Sequence, residues 1–255
     1  MTILHEKRKI AKKIFIALIL LFISSITSII VNYKNIGVFK LMHKKLPIYS
    51  VDVKEKKIAL TFDVSLGEDN TEQILDILDK YDVKATFFLV GRWIEDNKDL
   101  AKEISNRGHE IGNHSDKHPD MTKIPKEKIL QDIKNCEDKI ISITGQETKL
   151  FRAPSGAYND TLIETIEEAG FYCIQWDVDS IDWKEQGEDI EYNRVISKTK
   201  PGSIILYHNT AKYTPKNLPK VLEKLKNDGY TFVKVSDLIY KDNFYIDSTG
   251  RQISK

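Results

Sequence analysis

Cysteine is scarce in this chain: Cys136 and Cys173 are the only two in 255 residues. They stand in no metal-ligand spacing, so any metal is not held by thiolates, and sequence alone does not say whether the two pair. Excess charge of one sign is missing as well. Lys and Arg number 39 against 38 Asp and Glu, a formal net charge of +1. That balance argues against a nucleic-acid partner, which leaves a basic footprint. No Gly-rich dinucleotide or phosphate-loop signature follows the first predicted strand, which argues against a nucleotide cofactor. An A-x-A-like cleavage site is also lacking after the N-terminal apolar run, which weighs against a removable signal peptide.

That run is the first feature present. Residues 1–13 carry Lys7, Arg8, Lys9, Lys12 and Lys13, and then Ile14 to Val31 is uncharged for 18 residues. At about 1.5 Å rise per residue the run spans roughly 27 Å, enough for a hydrocarbon core. The basic flank predicts a cytoplasmic N-terminus and an exported remainder. The expectation is a single-pass membrane protein with its body outside the cytoplasm; secretion after cleavage is the alternative. Residues 32–55 read as a tether.

From residue 56 to 240 short apolar runs alternate with amphipathic helical segments. Strands are predicted at 58–62, 85–90, 110–111, 149–151, 171–175, 203–207 and 231–235. Helices are predicted over 71–81, 98–106, 126–143, 160–169, 188–198 and 218–228, with Gly145 and Gly170 as C-terminal stops. About seven β-α units imply a parallel sheet with helical crossovers, and their regularity favours a (β/α) barrel over an open doubly wound sheet. A hydrophobic content of 41%, with 11 Tyr and 10 Phe, supplies the core. Residues 241–255 read as a polar tail.

Three of the six histidines fall between His109 and His118. His114 and His118 are four apart, so on a helical turn both imidazoles would leave one face and suit one divalent ion. Ionisable residues also follow the other strands: Asp63 after the first, Arg152 after the fourth, Asp177, Asp179 and Asp182 after the fifth, His208 after the sixth. In a (β/α) barrel these strand ends converge on one site.

Thr61-Phe62-Asp63, His114-x-x-x-His118, Arg152-Ala-Pro154-Ser-Gly156, Asp179-Ser-Ile-Asp182-Trp183 and Leu206-Tyr-His208 occur in that order. Together they resemble the five motifs of the polysaccharide deacetylases, the NodB-homology or carbohydrate esterase 4 family. The resemblance implies a distorted (β/α) barrel and a divalent metal, usually zinc, that serves removal of acetyl groups from N-acetylated sugars. Carried over, it makes His114 and His118 metal ligands, Asp63 the general base, Arg152 the partner that orients Asp63, and Ser155 the backbone donor to the oxyanion. His208 becomes the general acid, Asp182 its carboxylate partner, and Trp183 and Leu206 the walls of the acetyl pocket.

The family usually reads Thr-Phe-Asp-Asp-Gly at the first motif, with the second Asp as third metal ligand. Here Val64 follows Asp63. Asp63 itself, Glu68 or Asp69 is then the candidate third ligand. The expected partner is cell-wall polysaccharide, peptidoglycan above all. The alternatives are a wall-glycan-binding protein with impaired catalysis and a polysaccharide O-acetyl esterase.

Overall fold

The structure is a computed structural model that describes residues 12–28, 44–67 and 69–255. The chain divides into two units, Met1–Lys44 and Lys45–Lys255. Of the first, the described parts are helix α1, residues 12–28, with its side chains exposed, and Lys44. Among the described residues no helix is long and apolar enough to cross a membrane. The span expected over residues 14–31 continues past α1 outside the described residues, as do most of the basic segment 1–13 and residues 32–43 of the tether. Residues 45–55 are no tether. Ile48 and Val51 are 2% and 0% exposed in the core of the second unit.

The strands of this unit are β1 (Ser50–Val51), β2 (Lys57–Val64), β3 (Thr86–Leu89), β4 (Glu110–Asn113), β5 (Leu150–Phe151) and β6 (Tyr172–Cys173). They continue with β7 (Val178–Asp179), β8 (Ile204–His208), β9 (Thr231–Val233), β10 (Phe244–Ile246) and β11 (Arg251–Ser254). Eight of them form one sheet, ordered β6-β5-β4-β3-β2-β8-β7, with β9 paired to the start of β2. Every pairing in it is parallel. The path does not close between β6 and β7, so the expected barrel is a half-barrel.

Helices α2 (Thr71–Lys80), α3 (Gly91–Asp96), α4 (Lys98–Asn106), α5 (Lys126–Thr144) and α6 (Asp160–Glu168) connect the first strands. Helices α7 (Glu188–Lys198), α8 (Thr214–Asn227) and α9 (Val235–Leu238) follow. Their limits have local causes. The Asn159 side chain accepts from Leu162 N at the start of α6, a side-chain cap for a free backbone donor. Helix α5 stops where Gly145 turns left-handed, φ 70, a conformation glycine adopts without penalty. Helix α8 begins ahead of the predicted 218 because Pro215 stands in its first turn, where a missing N–H costs nothing.

Strand alternation decides what faces the site. On β2, Ile58, Leu60, Phe62 and Val64 pack under the helices, with Phe87 and Leu89 of β3 and Ile205 and Tyr207 of β8. Phe62 stacks on Phe87 at 4.9 Å and on Tyr207 at 5.9 Å. The intervening residues, Thr61 and Asp63 with Leu206 and His208, therefore share the inner face. The residues after Tyr240 are not a tail: β10 and β11 form an antiparallel hairpin, and β11 pairs in parallel with β1. The hairpin escapes a periodicity reading because β10 buries no residue fully and the one buried position of β11 is the polar Gln252.

Candidate active site

Asp63 ends the inner face of β2 and lies 6% exposed. Its Oδ1 accepts from Arg152 Nη1 at 2.7 Å. The same Nη1 is 2.9 Å from Thr61 Oγ1, which donates to Ile205 O, and Nη2 donates to Gln175 O at 3.1 Å. The guanidinium is sandwiched by Phe88 at 4.1 Å and Trp176 at 5.4 Å. Burial by itself would raise the Asp63 carboxyl, but the Arg152 charge, helped by the neighbouring His114 and His208 rings, outweighs it and holds the group below the usual carboxylate range. Asp63 is thus a buried anion, oriented by an arginine that is itself fixed from three strands.

His114 follows β4, and its Nδ1 is 2.9 Å from the Arg152 carbonyl oxygen. Nδ1 therefore carries the hydrogen, and Nε2 presents a lone pair. Burial pushes this imidazole down to about 4, so it is neutral. His118 lies 5.0 Å away ring to ring, and burial lowers it too. The pair meets, but not on a helix. Ser115 and His118 have φ 68 and φ 56, and these two left-handed residues turn the loop back while Ser115 Oγ accepts from His118 N. His109 stands apart as a core residue: Ala85 N donates to its Nδ1, and it packs on Phe87.

His208 ends β8. Its Nδ1 is 2.7 Å from Asp182 Oδ1, while its backbone N–H donates to Asp182 Oδ2. Burial opposes charge on this ring, yet the hydrogen bond and charge of Asp182 prevail and raise it above its ordinary value. With Nδ1 committed to Asp182, Nε2 is the atom left to exchange a proton.

These groups line one cleft of about 520 Å³ with Ser65, Ser155, Trp176, Asp179, Trp183 and Leu206. Ser155 is left-handed at φ 55, and Gly156 beside it at φ 67. A Cβ on Gly156 would meet the Trp176 ring at 2.8 Å, so glycine lets this loop lie under the tryptophan. Trp183 is 58% exposed at the mouth and Leu206 2% exposed at the floor. Sequence reading missed Trp176 and the lining role of Asp179. It also missed Asn209, whose side chain accepts from Ser65 N and donates to Asp69 Oδ1, pinning the loop after β2. Both cysteines are free and buried.

Part of the donor set suits a metal ion. His114 Nε2 and Asp63 Oδ2 are 3.5 Å apart; a neutral imidazole lone pair faces an ionised carboxylate oxygen with no hydrogen between them, an arrangement that suits a cation. The third ligand is where the fit is incomplete. Among the described residues no group of three or more His, Cys, Asp and Glu side chains could hold a metal ion. Asp69 is engaged elsewhere: Oδ2 accepts from Trp93 Nε1 at 2.7 Å and Oδ1 from Thr71 N and Asn209 Nδ2. Glu68 lies outside the described residues. Of the two described candidates, Asp63 is the one that stands beside the histidines.

Comparisons with known proteins point to one family. The polysaccharide deacetylase family model matches residues 50–174. The chain is 32% identical over 212 residues to the peptidoglycan-N-acetylmuramic acid deacetylase PdaA of Bacillus subtilis, covering 82% of this chain and 81% of that one. It is 37% identical over 196 residues to a peptidoglycan-N-acetylglucosamine deacetylase of Bacillus cereus, covering 75% and 92%. A solved carbohydrate esterase family 4 pseudoenzyme from Bacillus anthracis superposes with a TM-score of 0.72 at 36% identity, covering 75% of this chain and 68% of that one. A mutant of that pseudoenzyme has restored enzymatic activity.

A buried carboxylate and a carboxylate-backed imidazole at the rim of a parallel half-barrel define a hydrolase. The chain belongs to the polysaccharide deacetylase family, carbohydrate esterase family 4, whose deacetylases hydrolyse amide bonds and are generally metal-dependent.

Proposed function

We propose that the protein is a metal-dependent N-deacetylase acting on amino sugars of cell-wall glycan, peptidoglycan in particular. One observation carries this reading. Asp63 and His208 are register partners on the adjacent parallel strands β2 and β8, so an ionised carboxylate and a readily protonated imidazole flank one cleft. A base that holds no proton and an acid that holds one are what hydrolysis of an amide requires.

His114 and His118 would hold the divalent ion, zinc by ligand chemistry, with Asp63 as the nearest carboxylate; such an ion lowers the pKa of water and polarises a carbonyl. The chain's own residues do the rest. Asp63 takes a proton from the water whose oxygen bonds to the acetyl carbon. Arg152 keeps that carboxylate ionised and aimed. The Ser155 backbone N–H donates to the carbonyl oxygen as it becomes an oxyanion. His208 gives its proton to the sugar nitrogen, the C–N bond breaks, and acetate and a free amine leave. Asp182 holds the imidazole in the protonated form. Trp183 and Leu206 bound the space for the acetyl methyl.

The domain is read as working outside the cytoplasm, held at the membrane by the uncharged run Ile14 to Val31 behind its basic flank. The exposed apolar side chains of α1, such as Leu18 and Phe22, support that placement.

The full chain, supplied with zinc, is expected to release acetate from peptidoglycan, and His114→Ala to abolish it. No acetate from peptidoglycan or chitin oligomers would overturn the reading. Val64 and the pseudoenzyme relative favour a second one, a wall-glycan-binding protein without turnover. Glycan binding by metal-free protein, with no acetate under any condition, would establish it.

A further inference from the structure

The polar groups behind His208 do not end at Asp182. Thr214, the first residue of α8, has its Oγ1 3.0 Å from Asp182 Oδ2 and 3.3 Å from Glu191 Oε1. All three residues are at most 3% exposed. A threonine hydroxyl carries one hydrogen. With both carboxyls ionised, one of these two contacts has no hydrogen, and two oxygen lone pairs oppose each other out of reach of water. Glu191 Oε2 is also buried without a hydrogen-bond partner, as are the Asn217 Oδ1 and the Tyr207 hydroxyl. Unsatisfied buried acceptors are rare and costly. A single proton on Glu191 removes the conflict.

We propose that Glu191 is a positioning residue for His208: it keeps a proton, so Thr214 gives its hydroxyl wholly to Asp182, and Asp182 remains an anion bonded to the imidazole. The chain of contacts runs Glu191, Thr214, Asp182, His208, across α7, α8 and β8. The ionisable groups facing Glu191 favour the protonated form. Asp182 is an anion, Tyr207 is a buried neutral phenol, and Glu188 on the same helix is held by Lys216 and Lys220 on its exposed side. Burial first, then the Asp182 charge, move the Glu191 carboxyl to about 7, against the opposing pull of the nearby Asn217 amide and Thr214 hydroxyl.

The coupling is reciprocal. When Glu191 loses its proton, a second negative charge stands behind Asp182 and makes His208 hold its own proton more tightly. The significance of this rests on the reading of His208 as the acid, but its measurement does not, because a titration needs no turnover. Chain that releases no acetate still reports it.

The test is NMR titration of the full chain, labelled at histidine and glutamate carbons, from about pH 5 to about pH 9. The His208 imidazole is assigned with His208→Gln. Glu191→Gln stays neutral and never takes on the charge that native Glu191 acquires when it loses its proton within this range, so the His208 midpoint is expected to fall by about half a unit or more, and its curve to narrow to that of one site. A midpoint unmoved in folded Glu191→Gln overturns the proposal and leaves Glu191 a structural residue. The native chain gives a second measurement that no folding failure can remove. A glutamate carboxyl absent from Glu191→Asp, which titrates near neutral pH in the unsubstituted chain, supports the proposal. All glutamates titrated below about pH 5.5 would overturn it.

Discussion

Arg152 and Asp63 form an ion pair at 2.7 Å whose side chains are 0% and 8% exposed. Removal of one partner from such a pair leaves an unpaired buried charge, at a cost of about 3–5 kcal/mol. Arg152→Met is therefore expected to lose stability on that scale in urea unfolding, and Arg152→Met with Asp63→Asn to regain part of it. A loss below about 1 kcal/mol would contradict the pairing. Because folding lowers the Asp63 carboxyl, the stabilisation is present above the unfolded-state value of about 3.9 and is lost as pH falls through the folded one.

Asp182 raises His208, so the sign reverses there. The stabilisation from this pair is full below the unfolded histidine value of about 6.5 and is lost as pH rises through the higher folded value. Acetate release is expected to fall over the same alkaline range as the acid loses its proton. Asp182→Asn should move that limb to lower pH, as a pH–rate profile would record, and should reduce turnover by roughly 10²-fold or more.

Metal content separates the carboxylates after β2. Elemental analysis of the zinc-loaded chain is expected to find metal lost in His114→Ala and weakened in Asp63→Asn. Asp69→Ala should keep its metal and lose about 1–3 kcal/mol of stability, because it strands the Trp93 indole N–H. Metal lost in Asp69→Ala would reverse this assignment. Metal lost in Glu68→Ala would name a ligand beyond the three side chains seen together.

Gly112 sits on β4 where an added Cβ would lie 2.4 Å from Phe88 Cδ1. Phe88 is the ring that backs the Arg152 guanidinium. Gly112→Ala is thus expected to cost about 1–3 kcal/mol by displacing that ring, and to lower acetate release through Arg152 and Asp63 without touching either. Unchanged thermal stability would show that the ring has room to shift.

Much of this was legible because buried parallel strands announce themselves as apolar runs. Residues 58–62 and 203–207 fall inside β2 and close to β8, and alternation alone puts Asp63 and His208 on one face. The histidine spacing was legible for the wrong reason: the predicted helical turn is a loop with two left-handed residues, a conformation that spacing does not encode. Asp69 looked free to bind a metal because its actual partners, Trp93 and Asn209, come from segments distant in sequence. Helix α3 has only the six residues Gly91–Asp96, too few for a periodic signal. The environment of Arg152 was illegible because Thr61, Phe88 and Gln175 reach it from three separate strands or strand ends.

Strand β11 lies between β1 and β10 in the small sheet. Ser50 is the register partner of Arg251 in the parallel pairing of β1 with β11, so the segment that enters the folded unit and the segment that leaves it brace each other in one sheet. Loss of the last residues would take β11 from β1, so a C-terminal truncation is expected to loosen the start of the domain and not merely to shorten its end.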